Sequence, residues 1–571
     1  MRKLMNRKSV KWGVSIILVL TLSVGLVGFN SDKRNFEIVK NLDIFYTLFR
    51  ELNSYYVDDT EPAKLIKTSI DDMLKSLDPY TTYIPESDMD DFKFMTTGEY
   101  AGIGAVISKQ DEYVVIAEPY EGFPAQKVGL KAGDKLLSVD GKNMVGKKTS
   151  DVSDLLKGQA NTTVKLKIDR PGTKKTLTFE IEREKIQINP VPWYGMVDDK
   201  TGYIILSSFT QGCSKNIKDA FIDLRDKQGA KKMILDLRGN PGGLLDEAVK
   251  IANIFLPNGT EIVSTRGKVK QWDKVYNATR QPIDTVMPLV VLVSRGSASA
   301  SEIVSGSLQD MDRAVIVGQR TFGKGLVQTT RNLSYNAKLK VTTAKYYIPS
   351  GRCIQAVDYS HRNEDGSVGL IPDSLITEFK TKNGRSVYDG GGVSPDMKIK
   401  QKKYGNITYA LVIQQMFFNY ATQFVLENNT IEDVKDFTIS DDIYNGFKQF
   451  VLAKKSFVYE SKTQDLFNEM KETAEKEDYY DAAKDDFAAL EKMLKLDVNK
   501  DLDLFNEEIK ELLGIEIVKR YYYQKGSIQF SLKRDTELDA ATKLLGDMNE
   551  YNGLLSGEIV SHAGDRRSMK N

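Results

Sequence analysis

The spacing of apolar residues changes character along the chain. Between residues 31 and 95 it is helical: Phe36, Ile38, Leu42, Phe45, Phe49 and Leu52, then Leu65, Ile66, Ile70, Met73 and Leu74. This predicts an N-terminal helical domain whose last helix stops at Asp78-Pro79. From 96 to 186 short β-rich runs take over, at 113–117, 135–139, 163–168 and 176–182. Turn signals at Asp140-Gly141 and Pro171-Gly172, and two short helical stretches near 124–128 and 150–156, separate them. Residues 187–400 alternate strands (203–209, 232–238, 288–294, 314–318) with helices such as 216–226 and 244–255. Strands that are apolar at nearly every position predict a parallel sheet buried on both faces. Residues 401–571 are polar, rich in Glu, Lys, Ala and Leu, and lack Pro after Pro395, which predicts a C-terminal helical domain.

Ahead of these segments, Arg2, Lys3, Arg7, Lys8 and Lys11 precede an uncharged run from Trp12 to Phe29. A basic start followed by such a run predicts a signal peptide or membrane anchor in residues 1–30. The positive charges stay in the cytoplasm, so the rest of the chain is expected in the cell envelope, anchored or exported.

Composition narrows the function. Lys and Arg number 80 against 79 Asp and Glu, so no global basic field exists to hold nucleic acid. Two cysteines, Cys213 and Cys353, cannot build a disulfide framework or a thiolate metal cluster. The two histidines, His361 and His562, sit in a polar loop and the C-terminal tail and read as solvated. A hydrolytic site here therefore needs a base other than histidine.

Three loops carry candidate chemistry. Ser297-Ala298-Ser299-Ala300-Ser301-Glu302 follows an apolar strand and opens a helix predicted over 301–311. A serine there lies beside unpaired N–H groups that can hold an oxyanion, although serine also commonly caps helices without any catalytic role. Lys324 lies in Thr321-Phe322-Gly323-Lys324-Gly325, after another strand. Lysine acts as a base where burial disfavours its ammonium form. Asp236-Leu237-Arg238 leads into Gly239-Asn240-Pro241-Gly242-Gly243, a loop able to present N–H groups to a substrate oxygen. It lacks the spacing of a phosphate loop, and Asp236 with Arg238 reads as a structural ion pair.

Taken in order, LDLRGNPGG (235–243), GSASASEI (296–303), TFGKGLVQ (321–328), TTAKYYIPSGRCIQ (342–355) and GGVSPD (391–396) resemble the carboxy-terminal processing (tail-specific) proteases. The resemblance spans approximately residues 35–400. It implies a multidomain α/β protein: a ClpP/crotonase-like core at 187–400, an inserted PDZ domain (α+β) at 96–186, and helical segments at 31–95 and 401–571. It implies Ser299 as nucleophile, Lys324 as base, and Gln328 as the residue that orients the lysine. Oxyanion donors would be the backbone N–H of Ala300 and of Gly242 or Gly243, with neither metal nor cofactor. Tyr100–Ala105 with PAQKVGLKAGDKLLSVDG (124–141) resembles a PDZ domain, implying that the loop Gly102, Ile103 and Gly104 holds a peptide C-terminus. The expected activity is endoproteolysis of proteins at or near their C-terminal regions. Expected partners are proteins or peptides with exposed C-termini, and a homodimer through the C-terminal helices. The competing readings are a non-catalytic PDZ-containing envelope scaffold and a crotonase-like acyl enzyme.

Overall fold

The strand pattern of residues 96–186 folds as a β-sheet wrapped on two short helices. The computed structural model describes residues 34–494 and 496–562. Here β1 (Ala105–Gln110), β2 (Tyr113–Pro119), α1 (Pro124–Lys127), β3 (Lys135–Val139), α2 (Thr149–Leu156), β4 (Thr163–Asp169) and β5 (Leu177–Glu182) follow one another. The strands lie antiparallel in the order β1-β2-β3-β4-β5, with β1 at the edge and α2 packed beside it. Val114, Ile116, Leu136, Leu166 and Ile181 fill the core. In β4 buried and exposed residues alternate, because one face meets that core and the other meets water.

The next region carries β6 (Tyr194–Met196), β7 (Thr201–Ile205), α3 (Cys213–Ile222), β8 (Lys232–Asp236), α4 (Leu245–Phe255), β9 (Glu261–Gly267), β10 (Lys274–Asn277), β11 (Leu289–Val293), α5 (Ala300–Asp310), β12 (Val315–Gly318), β13 (Leu326–Asn332), β14 (Lys338–Tyr347) and β15 (Met397–Lys398). The main sheet has the order β6-β7-β8-β11-β12-β15, parallel except for the β6–β7 pair. Every residue of β11 is buried, as its unbroken apolar run requires. Helices α3, α4 and α5 cover one face through Ile217, Phe221, Ile251, Phe255, Val304 and Leu308. A second, antiparallel sheet joins β13 to β14, β14 to β9, and β9 to β10. Sequence reasoning did not predict it: strands such as LVQTTRN and KLKVTTAKYY are half-exposed and polar, so their period is weak.

The C-terminal segment contributes to two cores. Helices between Asn406 and Ser531 build one around Phe417, Phe447, Ile509 and Leu513. This bundle also meets the β-rich domain, where Lys519 pairs with Glu118 at 3.0 Å. The last two helices, α6 (Thr536–Gly546) and α7 (Met548–Ser556), instead cover the other face of the main sheet. Leu538, Leu544 and Leu545 pack on Tyr203, Ile234 and Val290, closing an α/β/α sandwich.

The chain divides into two units, one ending at Tyr83 and one beginning at Ile84. The first holds helices at 34–55 and Pro62–Lys75. Met89–Thr97, grouped by its sequence with those helices, belongs to the second unit. The expected signal or anchor in residues 1–30 lies outside the described residues. Among the described residues no helix is long and apolar enough to cross a membrane.

Candidate active site

The site forms at the carboxyl ends of β8, β11 and β12, where open α/β sheets place ligands. Between β11 and α5 the chain turns through Ser299, whose φ of 55° lies in the left-handed region. A non-glycine residue there costs about 1–2 kcal/mol, so its surroundings must impose it. They do. Ser297 is buried and gives its hydroxyl to the Leu237 carbonyl (2.7 Å), while buried Ser301 gives its own to the Asn240 carbonyl (2.9 Å). The Ala298 N–H also donates to Asn240 O, at 3.0 Å. Ser299, flanked by these two anchoring serines, is only half-buried.

The lysine loop is sewn to this turn by one carboxylate. Glu302, fully buried, accepts the Ser299 N–H (2.8 Å) and the Lys324 N–H (2.9 Å) on Oε2. The two backbone nitrogens therefore lie within 5.7 Å of each other, the sum of those distances. Its Oε1 accepts the Gly323 N–H (2.7 Å) and the Thr321 hydroxyl (2.5 Å). Burial pushes Glu302 up to about 7 against the pull of these donors. On the other side, the Tyr346 hydroxyl hydrogen-bonds the Lys324 carbonyl (2.6 Å) and reaches that of Ser299 (3.1 Å). The Phe322 N–H donates to Ser297 O at 3.0 Å, while the residue as a whole stays 53% exposed. Glu302 is a residue that sequence reasoning passed over. The signal was present, since Ser299-x-x-Glu302 is a capping-box spacing.

The glycine loop supplies donors. Asn240 is buried and gives its side-chain amide to Leu206 O at 2.8 Å. Its Oδ1 accepts the Gly242 N–H at 2.9 Å. A Cβ on Gly242 would lie 2.8 Å from Ser299 Cβ and 2.9 Å from Ala300 N, so the loop touches the serine turn. Gly243 pairs with Phe209, whose N–H donates to Gly242 O and whose carbonyl accepts the Leu244 N–H, turning the Gly243 N–H away from that bridge. Among the described residues, neither the Gly243 N–H nor the Ala300 N–H finds an acceptor. Of the two candidate glycines, only Gly243 thus keeps its N–H available.

Gln328 stands on β13, where its Nε2 donates to Thr342 Oγ1 at 3.2 Å. Asp236 and Arg238 form the expected ion pair at 2.6 Å. His361 is 86% exposed and pairs with Asp358 at 2.7 Å. In the β-rich domain, Ile103 is buried and its carbonyl accepts the Ala125 N–H at 2.8 Å. Gly102 lies in a short strand opposite Glu184. Gly104 has φ 74° and abuts Phe123 so closely that no Cβ fits. Burial pushes the Tyr100 hydroxyl up, and the backbone N–H groups of Gly104 and Ala105 near it pull the other way. These two donors form a cradle at the start of edge strand β1, where Ala105 follows the expected loop residues.

Comparison with known proteins agrees with this architecture. Residues 200–361 match the model of peptidase family S41, residues 115–170 that of a PDZ domain, and residues 407–545 that of a probable PDZ-protease C-terminal helical domain. The chain is 35% identical over 369 residues to a carboxy-terminal-processing protease of Bartonella bacilliformis, covering 64% of this chain and 81% of that protein. It is 36% identical over 345 residues to a probable CtpA-like serine protease of Staphylococcus aureus (strain COL), covering 60% and 67%. Among solved structures, the photosystem II D1 C-terminal processing protease is 31% identical, covering 62% of this chain and 92% of that one, with a TM-score of 0.34. Fold and relatives together define a serine-type peptidase that carries a PDZ domain and a C-terminal helical region and acts on proteins or peptides. The chain belongs to peptidase family S41, among the carboxy-terminal-processing proteases.

Proposed function

We propose that the protein cleaves polypeptides at or near their C-terminal regions through a Ser299–Lys324 dyad. Lys324, in its neutral form, takes the proton of the Ser299 hydroxyl as Oγ bonds to the peptide carbonyl carbon. The N–H groups of Ala300 and Gly243 receive the oxyanion. The lysine then hands its proton to the departing amine nitrogen, and the C–N bond breaks. Water enters as the amine leaves and gives a proton to Lys324 while its oxygen bonds to the acyl carbon; Lys324 then returns that proton to Ser299 Oγ as the acyl C–O bond breaks, releasing the product acid and the free serine. Gln328 orients the lysine, and Glu302 holds both reacting residues from behind. The observation that carries this reading is the single Glu302 oxygen shared by the N–H groups of Ser299 and Lys324.

Substrate choice falls to the PDZ domain. A substrate tail adds as a strand beside β1, and its terminal carboxylate enters the cradle at Gly102–Ala105 in place of the Tyr100 hydroxyl. Export or anchoring by residues 1–30 would set this work in the cell envelope, and the C-terminal helices would support a homodimer.

Ser299→Ala should remove cleavage of a tailed substrate without changing the thermal unfolding profile, and Lys324→Ala should do the same. A serine-directed probe should label Ser299 in the wild type only. Full activity of Ser299→Ala would end the assignment. Amidating the substrate C-terminus should slow cleavage; equal rates with free and amidated tails would dismiss carboxylate capture.

A further inference from the structure

The glycine loop and the lysine loop share an anchor far away in sequence. Arg238 immediately precedes the glycine loop, and its side chain is 18% exposed. Its Nε and Nη2 donate to Asp236 Oδ2 at 2.9 and 2.6 Å. The rest of the fork reaches the C-terminal helices: Nη1 and Nη2 clasp the Asp535 carboxylate at 2.9 and 2.6 Å, and Nη1 also donates to Glu537 Oε2 at 2.6 Å. The other oxygen of Glu537 accepts Gln319 Nε2 at 3.2 Å. Gln319 directly follows β12 and opens the lysine loop. Asp535 is held in turn, because its Oδ1 caps α6 through the N–H groups of Glu537 and Leu538, each at 3.0 Å.

Three carboxylates around one guanidinium are more than docking requires. Helix α6 already has an apolar seat on the sheet, and buried ion pairs are weak devices for stability. What a bidentate Arg–carboxylate fork supplies is fixed geometry. We propose that Asp535 and Glu537 are positioning residues for the peptidase reaction, setting the spacing between the loop that presents Gly243 and the loop that carries Lys324. The inference rests on the dyad reading above and adds to it that the end of the helical region completes the catalytic unit.

The test is the double substitution Asp535→Asn with Glu537→Gln in the full chain. It removes both charges while keeping size, and Asn caps a helix as well as Asp does. The expected result is a kcat lower by about tenfold or more, with KM and tail-peptide affinity within about twofold of wild type. Affinity for a peptide boronic acid, which mimics the tetrahedral adduct, should weaken in parallel with kcat. Wild-type kcat, or a kcat that recovers fully well below the variant's melting temperature, would overturn the positioning role. A lower kcat with unchanged boronate affinity would overturn it too. Ser299→Ala separates the two levels: if that variant is inactive and the double variant is not, the clamp fails and the dyad stands; if it is active, the dyad itself fails.

Discussion

Gly242→Ala tests the contact between the glycine loop and the serine turn. The added Cβ would lie 2.6 Å from the Ala298 carbonyl oxygen, 2.8 Å from Ser299 Cβ and 2.9 Å from Ala300 N. Ordinary contact begins at 3.4 Å, so loop and turn must part by up to 0.8 Å, the difference between 3.4 and 2.6 Å. The backbone at φ 99° adds strain of about 1–2 kcal/mol to an overpacking cost of about 1–3 kcal/mol. The expected loss of stability is about 2–5 kcal/mol. On the proposed mechanism the loss of rate is larger in effect, because the Gly243 and Ala300 N–H groups would no longer meet one oxyanion, and one misplaced oxyanion donor costs about 10²–10³ in kcat. The assay is kcat and KM on a fluorogenic peptide with a free C-terminus, alongside thermal unfolding and tail-peptide binding. Gly239→Ala is the control: its φ of 68° brings the same kind of strain, but its Cβ meets nothing within 4 Å. It should cost stability and leave kcat far closer to wild type. A folded Gly242→Ala variant whose kcat stays within about threefold of wild type would refute the reasoning, since a displaced donor must cost more than that.

Other outcomes follow from single contacts. Glu302→Gln leaves one acceptor oxygen where the carboxylate has two, and sets an NH₂ group against backbone donors. Its kcat should fall by about fivefold to a hundredfold, given that a buried donor left unpaired costs about 1–3 kcal/mol, and wild-type turnover would dismiss the clamp. Because burial lifts Glu302 from its ordinary 4.5 to about 7, its favourable contribution to folding is complete below pH 4.5 and is lost as pH climbs through 7. The difference in melting temperature between wild type and Glu302→Gln should therefore shrink from pH 5 to pH 8; one that widens would contradict that sign. Tyr100→Phe removes the oxygen that faces the Gly104 and Ala105 N–H groups. Calorimetry should find tail peptides binding several-fold tighter, and unchanged affinity would mean that the hydroxyl does not compete.

Most strands and helices of the PDZ domain and the main sheet were legible in the chain. Predicted 135–139 is strand Lys135–Val139, and predicted 288–294 contains Leu289–Val293. Period and burial agree there, because each strand has one or both faces against a core. The half-exposed second sheet had no such agreement and was missed. The glycine loop, the serine turn and the lysine loop were also readable, since each is a contiguous motif closing a strand.

What the sequence determined by itself was the inventory: which strands are buried, which turns demand glycine, and which serine and lysine stand at strand ends. Tertiary structure alone decided how those pieces meet. Glu302 could be known as a clamp only once the lysine loop lay against α5, and Asp535 and Glu537 as anchors only once α6 covered the sheet. Periodicity reports which face of an element is buried. It carries no information about which distant element does the burying, and buried polar partners are chosen at that step.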